Sequence, residues 1–306
     1  MLVNPRTHDV LPGPVSYFSA MYTVGCRPAR SARRDPRVLR RQRLAAVAVA
    51  LAVVLAVAVP LFALRGNGPA GAVPAATAPL GGALANLPIE RELPRPTAAH
   101  PLRIYFGGDS MTGYPIQELT TLARATGVMK VMGDYQVSSR LCYNVPINWP
   151  VHLHAKLRAL HPRAMVFMIG ANDGGAPITA GGRICDFWSR QWFAAFRKIV
   201  GRMMDDALAS GVQRIYWVGM PIMKPGHYPS SDQMKRLNNA YRKEASLRPG
   251  QVRYIDIWRL LATPSGQYDP QWRASWDPTH LNSAGARRIA AVVMAAIKHD
   301  WLPKRH

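Results

Sequence analysis

The chain has 306 residues and carries 39 Lys and Arg against 17 Asp and Glu, a formal net charge of +22. Three cysteines are too few for a disulfide scaffold or a typical structural zinc site. Residues 101–306 alone hold 27 basic and 13 acidic residues, a net +14, so this part favours anionic surfaces such as lipid headgroups or acidic envelope polymers; no nucleic-acid motif accompanies the charge.

Residues 1–43 are Arg- and Pro-rich without a sustained apolar period, which predicts a disordered basic tail. Leu44 to Leu64 is an unbroken apolar run interrupted only by Pro60. At about 1.5 Å per residue it spans roughly 30 Å, one hydrocarbon core, and predicts a single transmembrane helix. A signal-peptide core is shorter, and a buried soluble helix would show a polar face. Arg27, Arg30, Arg33, Arg34, Arg37, Arg40, Arg41 and Arg43 precede the run while Arg65 alone follows closely. The positive flank stays inside, so the N-terminus is expected in the cytoplasm and the rest outside the cytoplasmic membrane. Residues 65–100 form a Pro/Ala/Gly-rich linker long enough to let a domain work off the membrane surface.

From Leu102 the pattern changes. Strands are predicted at 103–106, 128–132, 164–169, 214–218 and 253–257, with helices near 114–126, 150–160, 187–209, 231–246 and 283–298. In the third helix Trp192, Phe196, Ile199 and Met203 follow the spacing of one buried face. Five strands alternating with helices predict an α/β fold: a five-stranded parallel sheet between two helical layers. In such sheets sites form beyond the carboxyl ends of the strands.

That rule selects three polar stretches. Gly107-Gly108-Asp109-Ser110-Met111 follows the first strand, Gly170-Ala171-Asn172-Asp173 follows the third, and Asp277-Pro278-Thr279-His280 precedes the last helix. By residue type alone, Asp109 and Ser110 suit helix caps as well as they suit a nucleophile turn. Asp277 and His280 are spaced so that a carboxylate can hold an imidazole.

Together and in this order, the three stretches resemble the SGNH (GDSL-type) hydrolases over roughly residues 101–303, which implies a flavodoxin-like three-layer α/β/α fold. The resemblance implies Ser110 as nucleophile, His280 as general base and Asp277 as its orienting partner. It also implies an oxyanion site made of the Ser110 N–H, the Asn172 amide and a backbone N–H from a second block. In that block this chain has Ser138, Ser139 and Arg140 where the family normally has Gly, so Ser139 and Arg140 are the candidate donors. Trp272 and Trp276, just ahead of Asp277, suit substrate contact or loop packing. Cys142 and Cys185, one after the second block and one after "GAND", are a candidate disulfide in an oxidising compartment. The resemblance calls for no metal and no cofactor, and His152 and His154, two apart in "VHLH", do not share a helix face.

The implied activity is a membrane-tethered, exported serine esterase or O-acyltransferase, with an O-acetyl ester of an envelope glycan or a small acyl ester as substrate. Lipases and thioesterases share the family. A non-catalytic module that keeps the fold is the competing class, suggested by the missing block-two Gly. A metallophosphoesterase would need a paired carboxylate and histidine ligand set that the chain does not display.

Overall fold

The computed structural model describes residues 27–28, 93–142, 144, 146–180 and 183–302. By its contacts the chain divides into one unit of residues 1–28 with 81–306 and another of 29–80; every described residue belongs to the first. The segment 44–64 and the linker as far as residue 92 lie outside the described residues. Among those described, no helix is long and apolar enough to cross a membrane.

In chain order the elements are β1 (Arg27–Pro28), β2 (Leu102–Gly108), α1 (Gly113–Arg124), β3 (Met129–Tyr135), α2 (Trp149–Leu160), β4 (Ala164–Met168), β5 (Ile178–Ala180), β6 (Arg183–Cys185), α3 (Arg190–Ala209), β7 (Arg214–Val218), α4 (Ser231–Ser246), β8 (Val252–Ile255), β9 (Arg273–Ala274), β10 (Asp277–Leu281) and α5 (Ser283–Trp301). All five predicted sheet strands and all five helices are present. Their ends shift by a few residues, as capping geometry would cause. For α3 the start moves to Arg190 because Ser189 caps it, accepting from the Trp192 N–H.

The main sheet is parallel, in the order β3-β2-β4-β7-β8. Its central strands β4 and β7 are buried at every position, which explains why they read as continuous apolar runs rather than as alternating ones. Helix α1 packs on α5, while α3 packs on α2 and α4, giving the two helical layers. Counted in sheet-strand sequence order, the arrangement is 2-1-3-4-5, with its topological switch point between β2 and β4, the place where open α/β sheets bind ligands.

Three features were not legible in the sequence. The hairpin β5–β6 follows the loop after β4, and β1 pairs antiparallel with β6, Arg27 opposite Ile184. The Asp277–His280 stretch is a strand, β10, paired antiparallel with β9 across an irregular register, rather than a free loop. Its five residues are too polar to signal a strand.

Candidate active site

Strand β2 ends on two glycines because nothing larger fits there. A Cβ at Gly108 would stand 1.8 Å from the Met168 carbonyl oxygen of β4, so the close approach of β2 to β4 requires Gly. Directly beyond it, Ser110–Thr112 form a single 3-10 turn capped by Asp109, which accepts from the Met111 N–H at 2.9 Å. The cap is therefore Asp109. Ser110 is free for another partner, and its Oγ lies 2.9 Å from His280 Nε2.

Behind the imidazole, His280 Nδ1 is bonded to Asp277 Oδ2. With Nδ1–H donating to the carboxylate, Nε2 is the acceptor for the Ser110 hydroxyl. Burial pushes the Asp277 carboxyl up, but the Thr279 N–H and His280 outweigh it and hold the group below its ordinary value. Asp277 thus stays ionised beside the histidine it orients. Strand β10 is held from both ends. The Tyr268 hydroxyl donates to Pro278 O at 3.0 Å, and Asn282 donates to Gln271 O and Arg273 O at 2.7 and 3.0 Å while capping α5.

The loop after β4 is bonded to the turn that carries Ser110. Asp109, fully buried, accepts from the Gly170 N–H at 2.9 Å and the Ala171 N–H at 3.1 Å. Burial is the main cause of a carboxyl pushed up to about 6, against the pull of the Gly170, Met111 and Ala171 N–H groups. Next in the loop, the Asn172 side-chain amide donates to Ser139 O at 3.0 Å. An amide nitrogen has two donors, so one remains for an oxyanion.

In the second block the Ser139 expectation needs correction. The Ser139 N–H turns back to Gln136 O at 3.3 Å, so it is not the oxyanion donor; Ser139 contributes its carbonyl instead. The turn that requires this is set by Ser138, whose φ of 60° is the left-handed conformation that usually selects Gly or Asn. Arg140 is half-buried, and its charge acts on Asp173 and Cys142.

The two tryptophans separate. Trp276 is 76 % exposed and stacks on the His280 ring, centroids 5.6 Å apart. Trp272 packs against the core, with the Arg288 guanidinium 4.4 Å from its ring centroid and its carbonyl accepting the Asn282 N–H. On the other side, Tyr135 is exposed and its ring sits 3.5 Å from where a Cβ of Gly113 would be, close to the turn that carries Ser110.

The Cys142–Cys185 pair is also overturned. Cys142 is a free thiol and Cys185 is disulfide-bonded. Cys142 stands on the segment whose N–H groups bind Asp173, and burial, with the same carboxylate adding to it, pushes its thiol well up. The third cysteine, Cys26, lies outside the described residues.

No group of His, Cys, Asp and Glu among the described residues could hold a metal ion. His152 instead bonds Asp134 at 2.7 Å, an acid that Tyr105 and Gln136 also donate to. A cleft of about 400 Å³ between α4 and the segment leaving β8 is lined by Lys235, Arg242, Trp258 and Arg259 among others. It does not include Ser110.

The family described as "Protein of unknown function (DUF459)" matches residues 103–296. No curated protein matches the chain. Among solved structures it is similar to LAE5, an alpha/beta hydrolase from the metagenome of Lake Arreo, at 18 % identity over 63 % of this chain and 94 % of that one, with a TM-score of 0.47. It is similar to an acetyl-xylooligosaccharide esterase from Geobacillus Stearmophilus at 15 % identity over 66 % and 97 %, TM-score 0.48. A structure described as an SGNH hydrolase from Slackia heliotrinireducens matches at 18 % identity over 64 % and 99 %, TM-score 0.45.

Proposed function

The chain belongs to the DUF459 family, and from the bonded line Ser110–His280–Asp277 we propose that it is a serine esterase or O-acyltransferase of the SGNH type. The observation that carries this reading is the 2.9 Å contact between His280 Nε2 and Ser110 Oγ, with Asp277 on the far nitrogen. A solitary cap would not place its hydroxyl against an imidazole 170 residues away.

The reaction follows from the geometry. Ser110 Oγ attacks an ester carbonyl, and its proton passes to His280 Nε2. The carbonyl oxygen, now negative, is met by the free donor of Asn172 and the Ser110 N–H. The C–O bond to the leaving alcohol breaks as His280 returns the proton to that oxygen. Water or an acceptor hydroxyl then attacks the acyl-enzyme by the same route, with His280 taking its proton. Hydrolysis and transfer share every step but the identity of that second nucleophile.

The substrate class proposed is an O-acyl, chiefly O-acetyl, ester of a cell-envelope glycan. Three features support it. The apolar run Leu44 to Leu64 with its Arg-rich preceding flank suits a membrane tether with the catalytic part exported. The disulfide at Cys185 suits an oxidising compartment. The exposed ring of Trp276, stacked on the catalytic histidine, is a flat apolar platform of the kind sugar rings use.

The test is covalent labelling with a fluorophosphonate, followed by turnover of short acyl esters and O-acetylated glycans with and without an acceptor alcohol. Labelling at Ser110 and release of acetate from the glycan are expected. A folded protein that neither labels nor turns over any ester would leave the non-catalytic module as the reading.

A further inference from the structure

Asn172 and Asp173 are consecutive, and both reach back to one short segment. The Asn172 amide donates to Ser139 O at 3.0 Å. Asp173, with no exposed surface, accepts from the Leu141 N–H with both oxygens, at 2.8 and 3.0 Å, and from the Cys142 N–H at 2.8 Å. The mechanism above uses Asn172 and leaves Asp173 without a task.

The geometry assigns Asp173 one. An amide that donates through one N–H has its plane set by that acceptor, so the remaining N–H points wherever the Ser139 carbonyl directs it. The position of that carbonyl depends on the segment 139–142, and Asp173 binds the segment two and three residues further on. We propose that Asp173 is a positioning residue for the oxyanion site, acting through the segment 139–142 on the free donor of Asn172. The proposal rests on the reading of Ser110 as the nucleophile.

The residue type fits the task. Both N–H groups reach Oδ1 and the Leu141 N–H is shared with Oδ2, so an Asn that kept its oxygen at Oδ1 would turn an NH₂ towards the Leu141 N–H, where a carboxylate offers an acceptor. Charge-assisted bonds of this kind are roughly twice as strong as neutral ones. Burial pushes the Asp173 carboxyl up, while the two N–H groups and the Arg140 charge act in the opposite direction. Asp109 performs the matching service at the start of the loop, binding the Gly170 and Ala171 N–H groups. Asn172 is therefore held between two buried carboxylates, one tying its loop to the nucleophile turn and the other tying it to the second block.

The experiment compares Asp173→Asn, Asn172→Ala and the double variant in the full chain, reading ester turnover and the rate of Ser110 labelling by fluorophosphonate. Asp173→Asn is expected to lower kcat about 10- to 100-fold with KM within about twofold, a smaller loss than removing the donor itself. In the Asn172→Ala background the same change is expected to cost less than about threefold, because residues that act through one another do not add. Multiplicative losses, or full kcat in Asp173→Asn, would overturn the proposal. Should Asp173→Asn fail to fold, Asp173→Glu keeps the charge but displaces the oxygens, and the same cycle with Asn172→Ala applies. The side-chain amide resonances of Asn172 supply a readout that needs no activity: they are expected to shift in the Asp173 variant, and unshifted resonances count against the proposal. Wild-type protein that does not label at Ser110 overturns the esterase reading instead, and the amide resonances still test the clasp.

Discussion

Ser110 and Asp109 divide the work that either could have done. Asp109 caps the turn and Ser110 faces His280, so Ser110→Ala is expected to abolish acyl-enzyme formation, with His280→Ala nearly as damaging because a triad acts as a unit. Asn172→Ala is expected to be milder, about 10²- to 10³-fold in turnover, the usual cost of one oxyanion donor. Were Ser110 a cap alone, its alanine variant would lose only about 1 kcal/mol of stability and keep its activity; turnover and Tm measured on the same variants separate the two. Asp109 makes a second prediction. Its carboxyl lies at about 6 in the folded protein against an ordinary 3.8. A raised value means that its contribution to stability is full below about 3.8 and is lost as pH rises through about 6. Relative to Asp109→Asn, the wild type is therefore expected to lose about 2–3 kcal/mol between pH 4 and pH 7. Urea unfolding of both proteins at the two pH values checks this, and parallel pH dependences would contradict it.

At the scale of elements, the site depends on how closely β2 approaches β4. Gly108 permits that approach, and Gly108→Ala would drive a Cβ into the backbone of Met168 and the Thr112 methyl. Separating the strands there moves Ser110 relative to Asn172, because each follows directly from one of the two. Gly108→Ala is expected to cost about 1–3 kcal/mol or more, as overpacking does, and to slow Ser110 labelling in whatever fraction remains folded. Thermal unfolding and labelling rate measure both; a variant with wild-type Tm and rate would show that β2 and β4 can separate without harm to the site. The ribbon β9–β10 does for His280 what β2 does for Ser110. Its bonds to Tyr268 and Asn282 make it a rigid carrier for the proposed base His280, which would otherwise sit on a loop.

For the whole molecule, the charge flank and the strand pairing imply different placements of the N-terminus. The Arg-rich flank before Leu44 predicts an N-terminus inside, whereas the pairing of β1 with β6 puts Arg27–Pro28 on the side of the domain. With a single span both cannot hold, since a strand cannot pair across a bilayer. A reporter that is active only after export is expected to be active when fused after His306 and silent when fused ahead of Met1. Activity at both ends would mean that the β1–β6 pairing holds and that Leu44 to Leu64 does not cross once; silence after His306 would place the domain inside.

The fold was legible because it rests on local rules. Buried parallel strands such as 164–168 and 214–218 read as apolar runs, and amphipathic helices such as 190–209 read by period, so element order and the sheet edge of the site follow from residues near in sequence. The places of Ser110, Asn172, Asp277 and His280 were legible for the same reason, each standing in a short motif beyond such an element, while the roles expected of them came from the family resemblance. What tertiary structure alone decided is what distant segments do to one another. It showed that Ser139 offers its carbonyl and not its N–H, that Asp173 binds the second block and that Trp272 packs while Trp276 stays exposed. It also separated Cys142 from the disulfide at Cys185. No periodicity records these, because a hydrogen bond across 31 or 33 residues depends on where the backbone carries each group and not on which residues are its neighbours.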